Sequence, residues 1–348
     1  MERVLKSKYR IGEKINEDER SVTYKGTVLG GDDPVTIKIF KRDALSNTLI
    51  KTLLRDLQPL TALAHPSIPR LLDGDYGWQG FYYVREYVDG ESLWDFMKYK
   101  RVLSEDQWLS IMTTVAEAVK TAHDQGILHG TLSPGDIFFT KEGRVKVTDF
   151  RLGLSMRNSI LGRTLAVAKD AVFLAPEEIL GEPSSRASDI YRLGTVFYLL
   201  LTGRLPFEDE GLAAALKNLK EQPARPSRLN PAVPKYLDDI TLCALAKEPL
   251  LRFSDASKLI ECLRAKTLLA EELMESDFPE ADVLESPPDI ITQAANPEAP
   301  LPLVPKPPRE DIRKQISKIP TQRLIVYGFG AAVVAGALFV ALQPFFSQ

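Results

Sequence analysis

From Leu324 to Leu342 the chain reads L-I-V-Y-G-F-G-A-A-V-V-A-G-A-L-F-V-A-L, a run without a single charged side chain. A helix needs about 20 apolar residues to cross a hydrocarbon layer of about 30 Å. A helix buried in a water-soluble core would normally keep a polar face, and this run has none. The chain is thereby divided into a part that must fold in water and a segment that belongs in lipid. Arg309, Arg313, Lys314, Lys318 and Arg323 lie just upstream, whereas Gln343 to Gln348 carries no side-chain charge. Because basic flanks stay on the cytoplasmic side, the sequence predicts a single-pass protein. Its parts are a basic juxtamembrane segment over 309–323, a transmembrane helix over 324–342 and a short outer tail over 343–348. Gly328, Ala332 and Gly336 recur every four residues on one helix face, a spacing that lets two helices approach closely. Small residues are common in any membrane span, so a homodimer and a plain span both stay open. The start, M-E-R-V-L-K-S-K-Y-R, has no apolar run that would direct export, so the folded part is expected in the cytoplasm.

Residues 268–308 are rich in proline and acid: D-F-P-E-A-D-V-L-E-S-P-P-D, then N-P-E-A-P-L-P-L-V-P-K-P-P-R-E running on into the basic segment. Proline removes backbone donors and the acids repel one another, which predicts an extended, disordered tether. At about 3.1 Å per extended residue it would span several tens of ångströms, so the folded part can float clear of the bilayer. A plain spacer accounts for the composition, with a proline-motif ligand as the alternative.

The part that remains is large enough for a substantial core: 348 residues in all, 44% hydrophobic and 26% charged. A formal net charge of only -3 argues against nucleic acid as a partner. Cys243 and Cys262 sit in apolar, helix-like surroundings, which favours reduced thiols over a bridge.

Residues 128–153 read L-H-G-T-L-S-P-G-D-I-F-F-T-K-E-G-R-V-K-V-T-D-F-R-L-G. Upstream come V-T-I-K ending at Lys38, H-P at His65 and Pro66, and V-R-E-Y-V-D-G from Val84. Downstream come A-P-E at Ala175 to Glu177, S-D-I-Y-R-L-G from Ser188, and Arg252 within K-E-P-L-L-R-F. In this order and spacing the set resembles the serine/threonine protein kinase family of bacterial type over residues 9–267. The resemblance implies an α+β, two-lobed protein-kinase-like fold, followed here by one C-terminal transmembrane helix. Strand-like alternation around V-T-I-K-I-F and a helical stretch T-L-I-K-T-L-L-R-D-L fit the small β-rich lobe. Long helical runs beyond a hinge at Glu86 to Val88 fit the large lobe. It also implies an ion pair between Glu177 and Arg252, and a brace beneath the catalytic loop from Asp189.

Phosphoryl transfer in this family requires glycine backbone over the phosphates, a phosphate lysine, metal held by carboxylate and amide, and a base for the hydroxyl. The glycine loop reads N-E-D-E-R-S-V-T from Asn16, with none of the expected glycines at Asn16, Asp18 or Ser21. Glu17, Asp18 and Glu19 would repel a polyanion, so a solvated hairpin tip is expected instead. Lys38 matches the phosphate lysine, but its usual glutamate partner falls on Asp56, one methylene short. Either the helix moves inward or the pair goes unmade, and Asp56 as a surface acid beside Arg55 is an equal reading. Asp149 matches the metal-binding aspartate, with Arg151 in place of the following glycine, and Asp136 stands at the second metal position. Thr131 replaces the catalytic base, Ser133 the catalytic-loop lysine, and Gly130 the arginine that would grip a phosphorylated activation segment. Ser155, Ser159 and Thr164 are available for modification, but without that grip.

Arg85 falls at the gatekeeper position behind the adenine pocket, where a guanidinium pointing inward needs a carboxylate, Asp56 or Asp149. The nucleotide-binding candidates are thus Lys38, Asp56, Arg85, Glu86 and Val88, and the metal candidates Asp149 and Asp136. No cofactor is assigned outright; ATP and Mg²⁺ are those the resemblance implies if the cleft still binds nucleotide. Two functions follow. One is a membrane-anchored pseudokinase, a signalling scaffold or allosteric regulator acting through protein partners that include an active kinase. The alternative is an atypical, weakly active serine/threonine kinase working through Lys38, Asp149 and Asp136.

Overall fold

The structure, a computed structural model, describes residues 3–18, 21–42, 45–99, 102–152, 171–208 and 211–268. The tether, basic segment, apolar run and outer tail beyond residue 268 lie outside the described residues, as do Glu19, Ser155, Ser159, Thr164 and the Gly328, Ala332, Gly336 face. Among the described residues no helix is long and apolar enough to cross a membrane.

Residues up to Glu86 build a small lobe around a six-stranded antiparallel sheet. Its strands are β1 (Val4–Leu5), β2 (Tyr9–Glu17), β3 (Ser21–Val28), β4 (Pro34–Phe40), β5 (Leu71–Gly77) and β6 (Gly80–Glu86), in the order β1-β2-β3-β4-β6-β5. One helix, α1 (Asn47–Thr61), packs against β5. Ser46 caps it, its Oγ accepting from Leu49 N at 3.3 Å. The apolar stripe Ile50, Leu53, Leu57 and Leu60 faces the core, and Asp56 shares that buried face. Close packing requires a glycine on β5. A Cβ at Gly74 would fall 2.4 Å from Leu57 Cδ1, so a larger residue there would force the buried Leu57 side chain to shift.

The large lobe begins with β7 (Gly90–Ser92) and α2 (Leu93–Lys98), then the long α3 (Glu105–Asp124), opened by a capping box of Ser104 and Gln107. After a one-turn 3-10 helix at Pro134–Asp136 come β8 (Ile137–Thr140) and β9 (Val145–Val147), which with β7 form a three-stranded sheet. Then follow α4 (Pro176–Ile179), α5 (Arg186–Thr202), α6 (Gly211–Lys220), α7 (Pro226–Leu229), α8 (Lys235–Ala244) and α9 (Ala256–Ala265). Helix α5 is buried from Ser188 to Leu201, which fits the apolar run Val196–Leu201 and requires its Ser188, Asp189, Arg192 and Thr195 to find partners inside the lobe. Helices α3, α5, α8 and α9 share one continuous core with α1, so the lobes are joined by packing as well as by the chain. Cys243 and Cys262 are both free and buried in it.

Candidate functional site

Strand alternation sets up the cleft between the lobes. In the β4–β6 ladder Lys38 lies opposite Tyr83 and Thr36 opposite Arg85. Val35, Ile37, Tyr82 and Val84 fill the far face of the sheet. The alternation therefore leaves Thr36, Lys38, Tyr83 and Arg85 on the face toward the large lobe.

Asp149, in the turn after β9, meets three of them. Its Oδ2 lies 3.3 Å from Lys38 Nζ. Its Oδ1 accepts from the Tyr83 hydroxyl at 2.8 Å and lies 3.6 Å from Arg85 Nε, an ion-pair distance too long for a hydrogen bond. Burial opposes ionisation of Asp149, but Lys38, Arg85 and the Tyr83 hydroxyl outweigh it and hold the carboxyl at about 2. Burial likewise opposes the charge on Lys38, and Tyr83, Asp149 and Asp136 together raise its pKa. Burial, followed by the Asp149 charge, raises that of Tyr83, which keeps it a neutral donor. Arg85 also reaches the hinge, its Nη1 donating to the Glu86 carbonyl at 3.4 Å. The Glu86 carboxylate points away to Arg70, 2.6 Å from its Nε, and Val88 is buried.

Asp56 is not a surface acid, because its position on the apolar face of α1 leaves it 3% exposed. Nor does it pair with Lys38, whose ammonium is drawn to Asp149. Its carboxylate lies 3.1 Å from Arg151 Nε and 3.8 Å from Arg55 Nε. The arginine that replaces a turn glycine thus supplies the counter-charge for an aspartate too short to reach the lysine. Asp149 and Arg151 have φ of 64° and 60°. That left-handed geometry costs a residue other than glycine about 1–3 kcal/mol, and at Arg151 the ion pair offsets it.

Asp136 sits below this cluster in a second capping box. Its Oδ2 accepts from both Ser133 N and Ser133 Oγ at 2.8 Å. Burial, and then the charge of Asp149, push this carboxyl up to about 7. The tip between β2 and β3 is likewise tied to itself: Asp18 accepts from Ser21 N and Ser21 Oγ at 2.7 Å each, and Lys14 and Lys41 flank Glu17.

Beneath the cleft, Asp189 accepts from His129 N at 2.8 Å, Gly130 N at 2.7 Å and His123 Nε2 at 2.9 Å. Gly130 has φ of 77°, a geometry suited to glycine, which the arginine expected there would adopt only with strain. His129 is buried with its ring 4.5 Å from that of Phe150, and burial lowers its pKa to about 4. An unfolded histidine titrates near ~6.5, so the folded state binds fewer protons below that pH. This contribution is whole above ~6.5 and is lost as pH falls toward ~4, on the order of 3 kcal/mol. Denaturant midpoints between pH 7 and 4.5 should therefore fall more steeply for the wild type than for His129→Leu. Equal slopes would remove His129 as the cause.

Glu177 and Arg252 meet as a two-pronged pair, Nη2 to Oε2 at 2.7 Å and Nη1 to Oε1 at 2.8 Å. Two further anchors hold the segment before Glu177. The buried Arg192 donates to Phe173 O and pairs with Glu178, and Asn218 donates to Ala171 O at 2.8 Å. Tyr83, Arg192 and Asn218 escape sequence reasoning. The Ser133–Asp136 cap does not have to, since S-x-x-D is a capping signature.

As placed, Asp149 would have to give up contacts to Lys38, Tyr83 or Arg85 before it could take a magnesium ion. Both Asp149 oxygens face protein cations or a hydroxyl, and one Asp136 oxygen is taken by Ser133. Magnesium usually takes one or two carboxylates, with waters and nucleotide phosphates completing its octahedron. Among the described residues no group of three or more His, Cys, Asp or Glu side chains could hold a metal ion.

The protein kinase domain family matches residues 9–272. A probable serine/threonine-protein kinase of Clostridium perfringens is 31% identical over 260 residues, covering 74% of this chain and 38% of its own. The serine/threonine-protein kinase PrkC of Bacillus subtilis is 34% identical over 230 residues, covering 66% and 36%. PknB of Mycolicibacterium smegmatis is 31% identical over 314 residues, covering 86% and 49%. The chain thus spans less than half the length of these relatives. A crystal structure of Rad53 1-466 in complex with AMP-PNP superposes with a TM-score of 0.60 at 25% identity, covering 72% of this chain and 63% of that one.

Proposed function

The chain belongs to the protein kinase family of bacterial serine/threonine type, with its two-lobed fold, and from that premise we propose that it works as a pseudokinase. In this reading it is a scaffold or allosteric regulator that binds protein partners, an active kinase among them. The observation that carries it is Asp149, whose two oxygens face Lys38, Tyr83 and Arg85 rather than an open cleft. Between Gly130 and Asp136 the loop has no titratable side chain, so nothing there can take the substrate proton. In this reading the lack of a base at Thr131 costs about 10²- to 10⁴-fold in rate.

A second reading, a weakly active kinase that passes the ATP γ-phosphoryl group to protein hydroxyls, draws on two observations. Lys38 and Asp149 are retained, and the relatives are named kinases, which favours this reading over the first. Transfer of labelled phosphate from Mg-ATP to a hydroxyl-bearing protein separates the two. The first expects no label above that of Asp149→Ala; label that requires both Asp149 and Lys38 would establish the second. The membrane anchor belongs to the same proposal: the 324–342 run fixes the domain on the cytoplasmic face, at the end of the 268–308 tether, with or without dimerisation through Gly328, Ala332 and Gly336. Carbonate-resistant recovery of the full chain in membranes, lost on deletion of 324–342, is the expected result.

A further inference from the structure

A groove of about 640 Å³ runs between α2, the start of α3 and the β8–β9 hairpin, sharing no residue with the Asp149 cluster. That is the size of a pocket for a small molecule or a short peptide. Its floor is apolar, with the rings of Phe96 and Phe139 4.7 Å apart and Leu103 and Ile111 beside them. Asp89 and Glu91 stand on its rim. Lys141 pairs with Asp89 at 2.9 Å across exposed side chains, so another cation can exchange for it.

The described chain ends close to this groove. Lys266, just after α9, donates to Glu105 at 2.7 Å, and Glu105 opens α3 directly after Leu103 and Ser104. Leu268 is buried in the same core. The residues that follow therefore start within a short reach of the groove. A coil of about thirty residues has a mean span of about 30 Å, more than enough to return to it.

Charge selects among the apolar pieces of those residues. Phe278, Val283 with Leu284, and Ile290 with Ile291 are each flanked by acids: Asp277 and Glu280, Asp282 and Glu285, and Asp289. A rim with Asp89 and Glu91 against the single lysine Lys141 disfavours all three. Leu301 to Arg309, L-P-L-V-P-K-P-P-R, instead combines apolar side chains and prolines with Lys306 and Arg309 and holds no acid of its own, although Glu310 and Asp311 follow it. Proline-rich segments of this kind favour the polyproline II form and dock on aromatic-lined grooves with little entropy to lose.

We propose that Leu301–Arg309 of this chain docks in its own groove, Leu303 and Val304 on the Phe96–Phe139 floor and Lys306 and Arg309 toward Asp89 and Glu91. Docking would shorten the tether and hold the domain near its anchor, whether or not the cleft transfers phosphate.

Hydrogen exchange on the full chain in detergent micelles tests this, comparing wild type with Leu303→Asp/Val304→Asp. Both substitutions fall outside the described lobes, whose packing they leave intact. In the variant, amides of β7, the β8–β9 hairpin and the start of α3 should exchange faster by about fivefold or more. A synthetic peptide of residues 300–310 added to the variant should restore the slow rate, and Lys306→Glu/Arg309→Glu should weaken protection in the same places. Equal exchange in wild type and variant would overturn the proposal. So would protection that vanishes on dilution by about a hundredfold, because the occupant would then belong to a second copy.

Discussion

Arg252→Met is expected to lower the unfolding midpoint of the full chain by about 10 °C. The guanidinium has no exposed surface, and its partner Glu177 is 13% exposed at the side chain. Besides the two-pronged pair it donates to Ala246 O at 2.8 Å, Ala187 O at 2.8 Å and Lys247 O at 3.1 Å, and its centre lies 4.9 Å from the Tyr191 ring. Methionine fills much of the volume but donates nothing, so three carbonyls lose a donor and the Glu177 carboxylate, still held by Ser188 Oγ at 2.8 Å, loses its counter-charge. Breaking a buried pair by removing one member costs about 3–5 kcal/mol, because the other charge is left behind. Each kcal/mol moves the midpoint of a domain this size by about 2–4 °C. Burial of Glu177 works against its charge and Arg252 overcomes that, leaving its pKa below the ordinary range. The double variant Arg252→Met/Glu177→Gln removes the stranded charge and should recover part of the loss, with a coupling of about 1–3 kcal/mol. Thermal unfolding of the four chains checks this; purely additive losses would show that the carbonyl contacts, not the ion pair, hold the lobe.

Arg85→Met should open the cleft. Arg85 lines up with Lys38 and Tyr83 on one sheet face, and its side chain is 12% exposed, so it occupies space behind the hinge as well as supplying charge. Methionine keeps the apolar stem, frees the Glu86 carbonyl and leaves Asp149 paired with Lys38 and Tyr83, so no carboxylate is stranded. The fold should therefore hold its midpoint within a few degrees, while affinity for Mg-ATP rises by about tenfold or more, worth ~1.4 kcal/mol. Titration calorimetry on both chains measures it. If Arg85→Met binds nucleotide no better than wild type, Arg85 does not plug the pocket.

How far the sequence could be read differed from part to part. Motif order was enough for the two lobes, because each motif belongs to one place in such a chain, and Glu177, Asp189 and Arg252 took the partners that order implies. The cleft was less legible. Tyr83 donates to Asp149 only because the β4–β6 register sets it across from Lys38, and register is a property of paired strands, not of either segment alone. Asp56 could be placed on α1 by counting, yet its partner depended on where the helix sat. Arg151 was visible only as a missing glycine. That the two departures answer each other, a short acid and an added cation 3.1 Å apart, emerges only in three dimensions. Ser133 shows the opposite case, read as a lost lysine although its spacing to Asp136 already spelled a cap.

On the pseudokinase reading, Lys38, Arg85 and Tyr83 occupy Asp149 and leave nucleotide no place to bind. A thermal-shift titration of the full chain with ATP, with and without magnesium, tests it most directly, because a ligand that binds the folded state raises its midpoint by mass action. A pseudokinase with this cleft should show no shift up to millimolar nucleotide in either condition. A magnesium-dependent rise that disappears in Lys38→Ala or Asp149→Ala would contradict it and return the protein to the active kinases.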